Sequence, residues 1–495
     1  APSWMLCGFP RSARRMGKSV VYVTDPEGNL AYFARCITQS NGAYLEDGEL
    51  LLRKGWLFVF GGDLCDKADG SLRIAQMIIA AKRRYPDRVF IIAGNRDLNK
   101  LRLRTELSDG AMASEPAVPY GAPKSTLAYA AFLAKLAAEA KLHAPDDGPL
   151  PAALYARFNT KPNRLRWILD HTMGAAGDFE RRRDELRLTR RVERVGDDDV
   201  VASFVESVAD TGVLTEVLKA AHLAVGIDET LYVHGGLVSV AYAKNAVKFV
   251  TDSPHSYGGA AVEDGGFEVA LGFVPGHAER IGDVRVWTEK LNKWLAAAVA
   301  GSLAPPGAAL DVNAVIAQQY ATYGTWPSVI IGRHLNDRSQ PVPLPPSVSR
   351  ALLASGFTRL VIGHTPHGNC PTVVPGAVQL IMADTSYSDM KAPDNRGNAA
   401  ATIEIQGTRA SVVGQLEDGT PIAYTVFSGD DASRAELEQN DVLIGGGDFG
   451  GWFVKAKLAL AGASTEPSYL LCRVDGFKYE YKRMGESEAR RELKL

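Results

Sequence analysis

Residues 57–66, LFVFGGDLCD, decide the fold of this 495-residue chain. The first four form a continuous apolar run, which is typical of a β-strand buried on both faces. The run stops at two glycines and leads into Asp63 and Asp66, whose carboxylates can bind a metal ion. Ligands of α/β sheets collect beyond the carboxyl ends of the strands, so this stretch predicts a ligand site at a sheet edge.

The same pattern occurs four more times along the chain. In each case a short apolar run leads directly into polar residues: 19–24 (SVVYVT) into 25–29 (DPEGN), 89–93 (VFIIA) into 94–97 (GNRD), 231–233 (LYV) into 234–236 (HGG), and 360–362 (LVI) into 363–367 (GHTPH). Residues 72–85 carry apolar side chains at helical spacing, which gives a strand–helix–strand unit of the kind that builds parallel sheets. We therefore expect five polar strand ends to converge on one site.

Each polar residue taken singly has an ordinary explanation. An Asp after a strand is usually a turn or helix-cap residue, and a single His such as His234 is usually a polar residue with satisfied hydrogen bonds. The joint occurrence of these residues, in this order and each after a strand, favours a metal site.

The order Asp, Gly-Asp-x-x-Asp, Gly-Asn, His, Gly-His resembles the calcineurin-like metallophosphoesterases, over residues 19–405. The resemblance implies an α/β fold of the α+β type, in which a β-sandwich is flanked by helices. It also implies two divalent ions (Mn, Fe or Zn), with Asp63 bridging them. The implied metal ligands are Asp25, Glu27, Asp63, Asn95, His234 and His364. Oxygen and imidazole ligands suit such ions, and two ions about 3.5–4 Å apart activate a bridging hydroxide that attacks phosphorus.

Three positions depart from the family pattern. Glu27 replaces a His and either binds metal or turns away. Arg96 replaces the candidate general acid, and arginine cannot donate a proton at ordinary pH. We expect Arg96 to grip phosphate oxygens while Asp97 fixes its orientation, which favours a good leaving group such as a phosphoanhydride or aryl phosphate. Pro366 replaces the second His of the last motif, which leaves His367 as a phosphate or leaving-group contact.

The predicted function is hydrolysis of a phosphate ester or phosphoanhydride by a hydroxide that bridges two metal ions. The substrate is a small phosphorylated molecule or a phosphoprotein, and Arg96, Asp97 and His367 are the catalytic candidates. Substrate contacts are expected from Asn29, Asp384 and Tyr387, although the last two also suit a plain turn. The alternative function is a scaffold or subunit of a larger assembly that keeps the fold without catalysis.

The remaining sequence divides around these motifs. We expect an arm at 1–18, a metallophosphoesterase domain at 19–405, a helical cap inserted at 98–225, a second insertion at 255–347 and a β-rich module at 406–495. The basic residues 181–183 of the cap form either a solvated face or a lid over an anionic substrate. The insertions and the C-terminal module are where we would expect an assembly partner to bind.

Composition excludes several classes of protein. A formal net charge of −2 argues against a dedicated nucleic-acid binder, and the chain has no apolar run of the roughly 18 residues that a membrane span needs. Its five cysteines include no CxxC pair, so they predict neither a thiolate zinc site nor a disulfide framework. We expect a reducing, intracellular compartment: the cytoplasm, or an organelle if the basic residues 11–18 come from a transit peptide.

Overall fold

The computed structural model describes residues 17–119, 126–142, 150–240, 262–263, 267–305, 311–322, 326–392, 394–429, 440–459, 466–476 and 478–494. Most of the predicted arm at 1–18, and the predicted boundary at residue 255, lie outside these residues.

Strands occur along most of the described chain. They are β1 (Ser19–Val23), β2 (Ala43–Glu46), β3 (Glu49–Leu52), β4 (Trp56–Phe60), β5 (Val89–Ile92), β6 (Ala221–His222), β7 (Ala224–Ile227), β8 (Thr230–Val233), β9 (Val238–Val240), β10 (Val262–Glu263), β11 (Phe267–Val269), β12 (Arg359–Ile362), β13 (Thr372–Val374), β14 (Gln379–Met382), β15 (Ala400–Gln406), β16 (Arg409–Gln415), β17 (Pro421–Phe427), β18 (Phe453–Leu458), β19 (Ser468–Asp475) and β20 (Lys478–Gly485).

Most helices lie between β5 and β6 or between β11 and β12. In chain order they are α1 (Leu30–Thr38), α2 (Ser71–Arg84), α3 (Asn95–Asn99), α4 (Leu103–Glu106), α5 (Asp109–Met112), α6 (Tyr129–Glu139), α7 (Ala152–Phe158), α8 (Lys161–Trp167), α9 (Asp178–Arg190), α10 (Asp197–Ser207), α11 (Val213–Lys219), α12 (Val284–Gly301), α13 (Val312–Tyr320), α14 (Pro346–Ala354) and α15 (Glu486–Leu493).

The main strands form two mixed sheets. The ten-stranded sheet has the order β20-β19-β18-β17-β16-β15-β1-β4-β5-β6, and the five-stranded sheet has the order β13-β14-β12-β8-β7. In the large sheet β1, β4, β5 and β6 run parallel, and in the small sheet β12 is parallel to both β8 and β14. The five predicted apolar runs are therefore strands, but they belong to two sheets: β1, β4 and β5 to the first, β8 and β12 to the second.

The two sheets pack face to face through a shared apolar core. Tyr22 of β1 and Tyr232 of β8 stack across it with their ring centroids 5.6 Å apart, and both are fully buried. Helices cover the outer faces, as where Phe33 of α1 meets Phe60 of β4 edge to face. The predicted class, a β-sandwich flanked by helices, is confirmed.

Helices and strands also occur in the long segments between and after the motifs. Helices α3 to α11 lie in the described part of the stretch between β5 and β6. Strands β16 to β20 continue the large sheet outward from β15, so the β-rich C-terminal part shares a sheet with the motif-bearing strands. The domain boundaries themselves remain predictions. Among the described helices, none is long and apolar enough to cross a membrane.

Candidate metal centre and cleft

The ends of β1, β4, β5, β8 and β12 surround one cleft of about 290 Å³. Its lining includes most of the predicted site residues, namely Asp25, Glu27, Asp63, Asn95, Arg96, His364, Asp384 and Tyr387. His234 lies in contact with Asp63 and is fully buried. The predicted convergence of the five strand ends is therefore present in the structure, and it brings together side chains from both sheets.

The backbone at the strand ends adopts an unusual conformation. Asp25, Glu27, Asp63 and His364 have φ angles of 51°, 47°, 53° and 64°. Positive φ is uncommon outside glycine, and residues held in this way cluster at functional sites, at a cost of roughly 1–3 kcal/mol each. The conformation turns these side chains out of their strands toward one another.

Two glycines allow the strand ends to approach this closely. A Cβ atom on Gly94 would lie 2.1 Å from Asp63 Oδ1, and one on Gly363 would lie 2.2 Å from Asp25 Oδ2. Neither position tolerates a side chain without displacing a carboxylate of the cleft. This requirement explains the glycine in the Gly-Asn and Gly-His motifs.

Asp63, His234 and His364 form the one group in the described residues whose side-chain composition and spacing suit a metal ion. Their ligand atoms lie within 4.8 Å of one another and all three are buried. His234 Nε2 lies 3.2 Å from Asp63 Oδ1. Asn95 joins the group, with its Oδ1 2.9 Å from His364 Nδ1 and 3.4 Å from His234 Nε2.

The tautomer of His234 supports this reading of the group. Its Nδ1 lies 2.8 Å from the carbonyl oxygen of Gly61, and because a carbonyl only accepts, Nδ1 carries the proton. In a neutral ring Nε2 then directs a lone pair at the oxygens of Asp63 and Asn95. Lone pairs that converge in this way repel unless a cation lies between them. Metal-binding histidines commonly donate their other ring N–H to a carbonyl, as His234 does.

The electrostatics of the two histidines differ. Burial lowers the pKa of His364 well below its usual value, helped by the charge of Arg333, so its imidazole is neutral and able to bind metal. Burial also acts to lower the pKa of His234, but the carboxylates of Asp63 and Asp25 raise it to about 9. Without a metal, these carboxylates therefore draw a proton onto His234, and a divalent cation would supply the same positive charge.

Asp25 lies beside this group, at the junction of the two sheets. Both of its carboxylate oxygens lie 3.1 Å from the backbone N–H of His364, which donates to them, and the hydroxyl of Thr24 donates to Oδ2. Burial, together with the nearby charge of Asp63, raises the pKa of Asp25 to about 7 even though His234 opposes the rise. Asp25 is thus a buried carboxylate whose negative charge is disfavoured by burial.

Arg96 makes ion pairs with the carboxylates of Glu27, Asp63 and Asp66. It contacts Asp63 through the carboxylate oxygen that does not face His234. Its Nη2 lies 3.1 Å from Glu27 Oε1 and its Nε lies 3.2 Å from Asp63 Oδ2. Its Nη1 lies 3.5 Å from Asp66 Oδ2, and Asp66 also pairs with the buried Lys100 at 2.7 Å. Glu27, another of the three departures from the family pattern, therefore faces Arg96 directly.

Asp97 does not have the expected role of orienting Arg96. Its carboxylate accepts hydrogen bonds from the backbone N–H groups of Asp63, Leu64 and Gly94, at 2.9, 2.8 and 2.9 Å. These bonds tie the end of β4 to the end of β5. Because both oxygens of Asp97 face backbone donors, the guanidinium of Arg96 is oriented instead by the three carboxylates around it.

Two other predicted site residues lie away from the cleft. Asn29 caps α1, where its Oδ1 accepts from the N–H of Tyr32 at 2.9 Å. His367 is fully buried beside the C-terminal strands, where its Nδ1 bonds Thr372 Oγ1 at 2.8 Å and its ring stacks on Phe453. Burial and the charge of Lys455 hold its pKa well below the usual value. The structure thus gives Asn29 a capping contact and His367 packing contacts, and their predicted contacts with substrate stay predictions.

Asp384 and Tyr387 line the cleft as expected. Two arginines near the cleft, Arg333 and Arg396, were not among the predicted site residues. Arg333 lines the cleft from the irregular segment that precedes α14. Arg396 is fully buried; its Nη2 lies 3.7 Å from Glu27 Oε2 and 3.8 Å from Asp384 Oδ1. Neither arginine follows a strand in the structure.

Comparisons with known proteins give structural matches only. No family model and no curated protein matches the chain. A cold-active protein-tyrosine phosphatase from a psychrophilic Shewanella species matches with 12% identity and a TM-score of 0.40, over 82% of this chain and 80% of that one. A protein serine/threonine phosphatase from Saccharomyces cerevisiae matches with 11% identity and a TM-score of 0.31, over 84% and 81%. At these scores the likeness carries no conclusion about activity.

Proposed function

We propose that this protein is a metal-dependent phosphohydrolase that cleaves a phosphate ester or phosphoanhydride. The observation that carries the proposal is the convergence of four metal-binding side chains, Asp63, Asn95, His234 and His364, beside an open cleft. A neutral amide, two imidazoles and one carboxylate suit Mn, Fe or Zn. A bound divalent ion would supply Lewis-acid activation of water and neutralise charge on the phosphoryl oxygens.

The other residues of the cleft suit a phosphoryl group. Arg333 lines the cleft, and an arginine can donate charge-assisted hydrogen bonds to phosphoryl oxygens. Tyr387 keeps its phenolic proton, because burial raises its pKa above the usual value, so it can donate to an oxygen of the substrate. A cleft of about 290 Å³ takes a phosphoryl group with a small part of its substrate, which fits a small phosphorylated molecule or a phosphorylated side chain.

The described cleft favours substrates with acidic leaving groups. Position 96 holds an arginine, which cannot act as a general acid, and His367 lies outside the cleft lining. The oxygens of Asp97, the third predicted catalytic residue, accept hydrogen bonds from backbone N–H groups, so none of the three is placed to protonate an alkoxide as it leaves. We expect aryl phosphates and phosphoanhydrides to be cleaved much faster than alkyl phosphates.

The number of ions depends on Arg96. The family resemblance predicts a second ion bound by Asp25 and Asp63, with Glu27 as a further candidate ligand. The guanidinium of Arg96 lies against Asp63 and Glu27. A second ion at that position would have to displace it.

The test is turnover by purified protein loaded with Mn²⁺, Zn²⁺ or Fe²⁺. The panel is an aryl phosphate, a nucleoside diphosphate, a phosphotyrosine peptide and an alkyl phosphate. We expect metal-dependent release of phosphate from the first three, abolished by chelation and by His364→Ala. Bound metal without turnover of any substrate would contradict the proposal and favour the non-catalytic scaffold.

A further inference from the structure

Two of the three departures from the family pattern, Glu27 and Arg96, are 69 positions apart in the sequence and form one ion pair. In the family pattern both positions hold histidine. Here a carboxylate and a guanidinium face each other at 3.1 Å, with side chains only 6% and 15% exposed. The two substitutions therefore introduce opposite charges at the same place, so each charge is balanced by the other.

The contacts of the two Asp63 carboxylate oxygens indicate that the guanidinium of Arg96 lies where a second metal ion would bind. Its Oδ1 faces His234 Nε2 at 3.2 Å, on the side of the histidines, whereas its Oδ2 faces Arg96 Nε at 3.2 Å. A carboxylate that bridges two metal ions directs one oxygen to each ion. In this chain the second oxygen is already directed to a positive charge that belongs to the protein.

The contacts around Glu27 hold it in this arrangement. Its Oε1 pairs with Arg96, while its Oε2 accepts from the N–H of Ser388 at 2.9 Å and lies near Arg396. To bind a metal ion, Glu27 would have to give up its contact with the guanidinium of Arg96. A guanidinium held by three buried carboxylates is costly to remove, because each partner would keep an uncompensated charge.

We propose that the guanidinium of Arg96 takes the place of the second metal ion, so that the site binds one divalent ion per chain. This inference rests on the proposed function, which requires the ion held by Asp63, Asn95, His234 and His364. Arg96 then acts as a fixed positive charge beside the ion. It carries one unit of charge where a divalent ion would carry two, and it offers no open coordination position for water.

The experiment is a metal count on the wild-type chain. The protein is dialysed against Mn²⁺, freed of unbound ion and measured by elemental analysis, and the Mn²⁺ signal is recorded by electron paramagnetic resonance. We expect one Mn²⁺ per chain and the spectrum of an isolated ion. Two ions per chain with an exchange-coupled spectrum would overturn this inference and leave the proposed function standing. No bound ion would overturn both.

A pair of variants tests the role of Arg96 itself. Glu27→His with Arg96→His removes the internal ion pair and restores histidine at both positions, so the count should rise from one Mn²⁺ to two. Arg181→His is the matched control, since Arg181 pairs with Asp389 at 3.2 Å on the helical insertion, and it should keep one. Circular dichroism confirms that each variant is folded. A folded double variant that still binds one ion would contradict the inference.

Discussion

Asp63 divides the floor of the cleft into two halves that differ in their charge balance. On one side, His234, His364 and Asn95 meet beside Asp63, and a metal ion there would take the place of the proton that His234 otherwise carries. On the other side, Glu27 and Asp66 surround the guanidinium of Arg96. The first half has the side chains to bind a metal ion, and the second already contains the positive charge of Arg96. The two halves thus differ in what balances the negative charge of Asp63.

The largest expected effect is on the half of the cleft floor that contains His234, His364 and Asn95, which we call the histidine half. His364→Ala removes an imidazole that lines the cleft and lies 2.9 Å from Asn95 Oδ1. Changes to residues that only support a ligand already cost roughly 10- to 100-fold in metal affinity, so loss of a ligand should cost more. We expect Mn²⁺ binding and phosphatase activity to fall to background, as measured by calorimetric titration and turnover.

His367→Gln provides the matched control for that variant, because it changes a histidine three positions away that lies outside the cleft lining. It should bind Mn²⁺ as the wild type does. Normal metal affinity in His364→Ala would show that the histidine half is not the metal site.

The next largest effect concerns the half of the cleft floor that contains Arg96, Glu27 and Asp66, which we call the guanidinium half. Arg96→Ala leaves Glu27 and Asp66 buried without this partner. Breaking a buried pair costs roughly 3–5 kcal/mol, and we expect the low end because Arg96 is partly exposed. Urea unfolding in a chelator should show this loss in the free energy of unfolding. Excess Mn²⁺ should recover much of it, because an ion can then enter between the carboxylates.

Arg181→Ala is the control for Arg96→Ala, because its ion pair with Asp389 is partly exposed on both sides. Such pairs contribute about 0–1 kcal/mol. Equal losses in the two arginine variants would mean that Arg96 is an ordinary surface cation.

A smaller effect is expected from a change at Asp97, whose carboxylate links the end of β4 to the end of β5. Asp97→Ala removes the acceptor for the N–H groups of Asp63, Leu64 and Gly94. A hydrogen bond to a charged group contributes about 1.5–3 kcal/mol. Burial, which raises the pKa of Asp97, offsets part of the gain from the three bonds, so the free energy of unfolding should fall by about the value of one bond. The exposed Asp87 supplies the control variant, Asp87→Ala, which should change little. An unchanged urea midpoint in Asp97→Ala would contradict this structural role.

The smallest effect concerns His367. Its ring packs between Phe453 and Tyr479 at the C-terminal strands. His367→Gln should cost about 1 kcal/mol of stability through the lost bond to Thr372, with the ratio of aryl to alkyl phosphate turnover unchanged. A selective loss of alkyl phosphate turnover would restore the sequence-based prediction that His367 contacts the leaving group.

The comparison also shows what the sequence could predict. Continuous apolar runs ending in Asp, Asn or His identified β1, β4, β5, β8 and β12 and their shared edge, because burial on both faces leaves a local signal. The ion pair between Glu27 and Arg96 left no such local signal in the sequence. The pair forms because two loops approach each other in space, which the sequence does not reveal. Taken singly, each of the two residues was only a departure from the family pattern.

The loops limited prediction in the same way. His367 follows a proline in an irregular segment, and its direction is set by Phe453 and Tyr479, which lie more than 80 residues later. Arg333 precedes α14 without any periodic pattern and still lines the cleft. Side chains on regular strand ends could be placed from the sequence, whereas those whose direction depends on distant packing could not.

Anomalous diffraction from crystals of the wild-type protein grown with Mn²⁺ tests the central claim most directly. The account predicts one anomalous peak per chain, within bonding distance of Asp63, Asn95, His234 and His364. It also predicts that the guanidinium of Arg96 stays between Glu27 and Asp63. Two peaks with Arg96 displaced, or no peak beside the histidines, would contradict it.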